Sequence, residues 1–215
     1  MARTSHRNRI YDDYLGRIQR GEIGPDDRLI DTAIAAELGV SRMPVREALM
    51  KLAHEGYLVG TTRGFKLPDL SHREILDIFE IRRLLEPRAA AAAAEALDAA
   101  TLDAMARAVS DAASTLDSGD ITLFFRASEA FRNAWLGAVP NAALRETIQR
   151  YLSQVQAVRL ATMRDPDAHR VIIEGLQALL DGFRRRDVLA TQDRMLRFVM
   201  AAEMTYQKLA PGNDA

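Results

Sequence analysis

Apolar residues recur along the chain with a helical period for most of its length. Tyr11, Tyr14, Leu15 and Ile18 stand at i, i+3, i+4 and i+7 and predict a first helix ending near Arg20-Gly21. The polar, Arg-rich residues 1–9 before it read as a frayed arm. Gly24-Pro25-Asp26-Asp27 reads as a turn. Asp31 is placed to cap a short helix that carries Ile34 and ends at Leu38. Gly39 sits where a left-handed C-cap is wanted, and Val40 is an apolar plug for the turn. Ser41 is a good N-cap, and Pro44 falls in the first turn that follows, where a missing N–H costs nothing. Val45, Leu49 and Leu52 then continue at i, i+4 and i+7, so this second helix buries one face and runs to about His54, with Gly56 as its end. The apolar runs Tyr57-Leu58-Val59 and Phe65-Lys66-Leu67 flank Thr61-Thr62-Arg63-Gly64, which predicts a β-hairpin.

The pattern changes at Pro68-Asp69-Leu70-Ser71. Ser71 with Glu74 forms a capping-box sequence, and no strand pattern follows. Breaks at Asp98–Thr101, Asp117–Asp120, Val139–Asn141, Asp165-Pro166 and Arg186-Asp187 predict six helices, over 72–97, 101–116, 120–137, 141–163, 166–185 and 188–209. The alanine run Ala89–Ala94 suits a tightly packed helix wall. The expected fold is mainly α. An N-terminal helix-turn-helix with a hairpin wing occupies residues 1–70, and an all-helical bundle occupies 71–215.

Composition narrows the class. Hydrophobic residues make up 48% and charged residues 27%, an ordinary globular profile. Cysteine is absent, so neither disulfides nor thiolate metal sites are available. The basic start is not followed by an apolar run, and no stretch of ~18 apolar residues exists, so a cytoplasmic protein without a membrane span is expected. A cysteine nucleophile, a Gly-rich phosphate loop and a clustered acid–His pair are all missing, so no enzyme is expected. The net charge of -1 rules out a general polycation but allows basic residues gathered on one face.

Such a face is available on the second helix. Ser41, Arg42, Met43 and Arg46 occupy its open N-terminal side, as a helix reading the major groove requires. Arg63 and Gly64 at the hairpin tip suit a phosphate or minor-groove contact, glycine allowing close backbone approach. The run Leu38-Gly39-Val40-Ser41-Arg42-x-Pro44-Val45-Arg46-Glu47-Ala48-Leu49 resembles the signature of GntR-family bacterial transcription regulators. Gly21-x-Ile23-x-Pro25-x-x-x-Leu29 and Leu52-x-x-x-Gly56-Tyr57-Leu58 fit the same pattern. The resemblance implies a homodimer on a palindromic operator in double-stranded DNA.

The later residues resemble the helical FCD domain of that family's FadR-type branch. They include Ile75-x-x-Ile78-Phe79-Glu80-Ile81-Arg82-x-x-Leu85-Glu86-Pro87, Phe131-x-x-x-Trp135-x-x-x-Val139-Pro140-Asn141 and His169-Arg170-x-Ile172-x-x-Gly175-Leu176. Six helices suggest its shorter, VanR-like variant. Members of that domain family often hold a divalent metal with one Asp and three His. The matching positions here read Ser128, Arg132, His169 and Phe198, so one ligand of four is retained and no metal or other cofactor is expected. A buried arginine needs an anionic partner. Arg132 could bind a carboxylate or phosphate effector bidentately, with His169 and Arg82 as further donors and Ser128, Trp135, Phe124 and Phe198 as lining. It could equally be neutralised by a protein acid such as Glu86 or Glu174. The expected function is a repressor released by a small carboxylate. The alternative is a DNA-binding dimer whose C-terminal domain only dimerises.

Overall fold

The computed structural model describes residues 6–210. Among them are ten helices and one two-stranded sheet, and the chain divides into two compact units.

The first unit comprises the chain up to Leu70 together with Gln149–Ala157. Helix α1 (His6–Gln19) buries Ile10, Tyr14 and Ile18, the stripe that the periodicity marks. It begins inside the expected arm, whose residues 1–5 lie outside the described part. Helix α2 (Asp31–Leu38) is closed by Gly39 at φ 64°, in the left-handed conformation that glycine adopts without steric cost. Helix α3 (Arg42–His54) starts at Ser41 and buries Val45, Ala48, Leu49 and Leu52 completely. Strands β1 (Val59–Thr61) and β2 (Gly64–Lys66) pair antiparallel, with Thr61 opposite Gly64. Leu29 adds a separate bridge to β2, exchanging two backbone hydrogen bonds of 2.8 and 2.9 Å with Phe65. The wing is therefore pinned to the segment before α2.

Asp31 is not the cap of α2. Ile30 holds that position, and Asp31 is the first helical residue, buried and turned to other partners.

The second unit comprises Ser71–Ile148 and the chain from Val158. Helix α4 (His72–Ala96) opens with the capping box of Ser71 and Glu74 and buries five of the six alanines Ala89–Ala94. Alanine on nearly every side lets the neighbouring helices approach this end of α4 closely. Helix α5 (Ala99–Ser118), α6 (Ile121–Gly137), α9 (Pro166–Arg185) and α10 (Val188–Leu209) are each started by an aspartate whose carboxylate accepts first-turn N–H groups: Asp98, Asp120, Asp165 and Asp187.

The expected helix over 141–163 is two helices, α7 (Ala142–Gln154) and α8 (Gln156–Thr162), interrupted at Val155. Seven helices therefore follow Ser71 instead of six, which removes the ground for the shorter domain variant. The interruption lies within Gln149–Ala157, the segment that packs with the first unit. There Gln149 donates to the Tyr57 hydroxyl at 3.3 Å, and a Cβ on Gly56 would sit 2.7 Å from the Arg150 carbonyl oxygen. Leu152 and Val155 are both buried and three apart, as on one helical stripe, so the apolar period gives no sign of the interruption.

Candidate functional site

Two sets of residues carry candidate chemistry, one in each unit. In the first unit the open end of α3 presents Ser41, Arg42, Met43 and Arg46, all exposed. The Ser41 hydroxyl makes no cap hydrogen bond, so it is available to an outside acceptor. Met43 is 63% exposed beside two arginines. An apolar group kept in water on this edge suits contact with a thymine methyl. Arg42 and Arg46 are not simply solvated. The Asp31 carboxylate accepts from Arg42 Nε at 2.9 Å and lies 3.8 Å from Arg46 Nη1.

At the wing tip Arg63 is exposed and its backbone N–H donates to the Thr61 hydroxyl at 3.2 Å. Gly64 has a reason internal to the fold. Its φ is 109°, and a Cβ there would lie 2.5 Å from the Leu29 carbonyl oxygen. The close approach it permits is to Leu29.

In the second unit α6 buries Phe124, Ser128, Arg132 and Trp135 along one face. Arg132 Nη2 donates to Glu129 at 2.5 Å, one turn back on the same helix. Its Nε and Nη1 are buried and meet no acceptor, and the Ser128 hydroxyl is in the same condition. Neither Glu86 nor Glu174 is the partner. Glu86 belongs to Arg82, which donates to it at 2.6 Å and lies over the Phe79 ring at 5.0 Å. Both members of that pair are nearly buried, so Arg82 is already satisfied within α4.

His169 stands in the first turn of α9. Its ring lies 3.7 Å from that of Phe124, and Nε2 is 2.7 Å from the Thr115 hydroxyl. Thr115 spends its only hydrogen on the Ala112 carbonyl at 2.6 Å, so the hydrogen between Thr115 and His169 belongs to Nε2. Burial holds the imidazole pKa below its ordinary value, favouring the neutral ring, and Thr115 selects its Nε2–H tautomer. Its one N–H is thus committed to Thr115. Phe198 lies against the backbone of α9, where a Cβ on Gly175 would come 2.3 Å from its ring.

The structure brings His169 and Phe124 together, and gives Arg82 and Arg132 separate carboxylate partners. Sequence reasoning gave Asp31 a different role and missed Thr115 and Glu129. Glu129 had a signal, since i and i+3 share a helix face. Asp31 and Thr115 had none, because their partners lie on other helices. Thr191, whose buried hydroxyl meets no partner, was also missed.

Comparison with known proteins settles the class. Residues 6–64 match the family described as bacterial regulatory proteins, gntR family, and residues 77–201 match the FCD domain. The chain is 21% identical over 195 residues to the HTH-type transcriptional regulator YdhC of Bacillus subtilis, covering 90% of this chain and 87% of that protein. It is 30% identical over 135 residues to the HTH-type transcriptional regulator McbR of Escherichia coli, covering 62% of this chain and 61% of that protein. The solved structure of McbR superimposes with a TM-score of 0.80 at 24% identity, over 97% of this chain and all of the other. The gluconate operon transcriptional repressor of Bacillus subtilis is 41% identical over 70 residues, 33% of this chain and 29% of that repressor. These relatives are transcription regulators, not enzymes, and no helix among the described residues is long and apolar enough to cross a membrane. The chain belongs to the GntR family of DNA-binding bacterial transcription regulators, in the branch that carries an FCD domain.

Proposed function

We propose that this regulator is a homodimeric repressor on a palindromic operator, released when a small carboxylate enters the second unit. The observation that carries this reading is Arg132. A buried guanidinium with two nitrogens unmet is costly, and the Ser128 hydroxyl on the same face, also unmet, faces the same deficit. An oxygen-rich effector would satisfy both. Glu129 already balances the charge, so the remaining demand is for acceptors in defined directions. The aromatic rings of Phe124 and Trp135 on the same face suit the apolar part of such a molecule.

No metal takes part in this reading. By the family resemblance, Ser128, Arg132 and Phe198 take the positions of metal ligands, and a guanidinium opposes a cation. Among the described residues no three His, Asp or Glu side chains gather as donors. The His169 Nε2 lone pair is unavailable in the tautomer bonded to Thr115.

One observation favours a second reading, in which the C-terminal domain only dimerises: Arg82 and Arg132 both hold protein carboxylates. Thermal melting against a panel of small carboxylates and sugar acids separates the two. A ligand-dependent rise in Tm is expected for at least one compound, since a ligand binding only the folded state stabilises it by mass action. Arg132→Met, which keeps bulk and removes the donors, should abolish that rise and the release of operator DNA. Flat melting across the panel favours dimerisation alone. Release of the mutant at the same effector concentration would place the anchor elsewhere. An effector acts only through differential affinity for the DNA-binding arrangement.

A further inference from the structure

The Asp31 carboxylate is a negative charge set against the surface that meets DNA. Its side chain is 11% exposed, while those of Arg42 and Arg46 are 56% and 53% exposed. One oxygen, Oδ2, serves both arginines. We infer that Asp31 is a specificity-determining positioning residue, which fixes the recognition arginines and weakens their attraction to any phosphate. The inference rests on reading the open end of α3 as the DNA face.

Three physical points support it. First, an ion pair whose arginines are more than half exposed adds little to stability, so the fold alone gives a weak reason for a buried carboxylate here. Second, Asp31 is held firmly. It is the first residue of α2, where the helix dipole favours an anion, and burial leaves its side chain little freedom. A long arginine tied to such an anchor loses less conformational entropy on meeting a base edge. Third, the tie has a direction. With Nε bound to Asp31, Arg42 keeps only its terminal Nη pair for a bidentate contact, the end-on approach to one guanine edge or one phosphate. Arg46, at 3.8 Å, is restrained by charge without a hydrogen bond and keeps all its donors.

Removing the carboxylate should therefore release two cations and loosen both. Nonspecific affinity rises while selectivity falls, a combination that loss of structure does not produce. The test uses a duplex enriched from a randomised library on the wild-type protein, and a mixed-sequence duplex of equal length. Binding is read by anisotropy over a salt series for wild type, Asp31→Ala, Asp31→Asn, Arg42→Ala and Arg46→Ala. Asp31→Ala should bind the mixed duplex several-fold more tightly at low salt. Its preference for the enriched duplex should fall about tenfold, within the discrimination of one good base contact. Its log–log salt slope should steepen by up to about one counterion. Asp31→Asn keeps an acceptor for Arg42 Nε and should show the same nonspecific gain with a smaller loss of preference. It also supplies the measurement should Asp31→Ala fail to fold. An unchanged preference in both Asp31 variants overturns the inference. So does a parallel weakening on both duplexes that follows a lowered Tm, which would mark Asp31 as structural. If neither arginine variant weakens the enriched duplex, the reading of α3 itself fails, and that outcome is distinct from failure of the Asp31 inference alone.

Discussion

His169 illustrates how a single side chain is specified by its neighbours. Thr115 gives its hydrogen to a backbone carbonyl, so the imidazole must be the donor, and the Phe124 ring shields it from water. Because burial lowers the His169 pKa from the ordinary value of 6.5, the unfolded chain takes up a proton before the folded one does. Stability from this site is complete above pH 6.5 and declines as pH falls through the lowered folded value. Thermal melts between neutral and mildly acidic pH should show that decline, and His169→Gln should flatten it while costing stability at neutral pH. A slope unchanged by the substitution would assign the acid sensitivity to other groups. Arg132 is the complementary case: Glu129 was within reach of helix spacing, but the two unmet nitrogens depend on what the rest of the bundle leaves open.

At the scale of elements, two glycines of the winged helix carry different burdens. Gly39 ends α2 at φ 64° with nothing within 4 Å of a built Cβ, so Gly39→Ala meets only the left-handed backbone penalty, about 1–2 kcal/mol. Gly64 has both a φ of 109° and the Leu29 carbonyl in the way. Gly64→Ala should therefore destabilise more, by roughly 1–3 kcal/mol of backbone strain plus the clash. It should also detach the Leu29–Phe65 pairing, read as faster amide exchange at Leu29 and Phe65. Equal melting temperatures for the two variants would mean that the wing yields at no cost. The interruption at Val155 is the opposite kind of feature. The helical period continues across 141–163, yet α7 ends at Gln154, inside the segment Gln149–Ala157 that belongs to the first unit.

At the scale of the whole molecule the expectation is a two-fold assembly. One winged helix offers a small DNA interface, and two-fold symmetry on a palindrome doubles it. The second unit keeps large apolar side chains in water, among them Leu84 on α4 at 69% exposure and Leu189 and Met204 on α10 at 79% and 56%. Large apolar side chains left in water on two helices that pack together, α4 and α10, are candidates for an association surface. Light scattering at micromolar concentration should therefore give the mass of two chains, and charged replacements of Leu84 and Met204 should shift it toward one. A monomeric wild type at that concentration would contradict a dimeric regulator.

The sequence by itself determined what depends on short range. Helix periodicity, the Asp and Ser caps, the αL glycine before Ser41 and the hairpin runs are written within a few residues of each other. So is the family signature from Leu38 to Leu49. Local backbone energetics and a one-sided apolar stripe suffice to specify them. Tertiary structure decided the pairings that join distant residues. Asp31 became the anchor of Arg42 instead of a helix cap, Gly64 answered to Leu29, and Thr115 took the His169 hydrogen. The physical reason is that a buried polar group bonds to whatever the packed chain brings within about 3 Å, and that choice is made only when the helices have met.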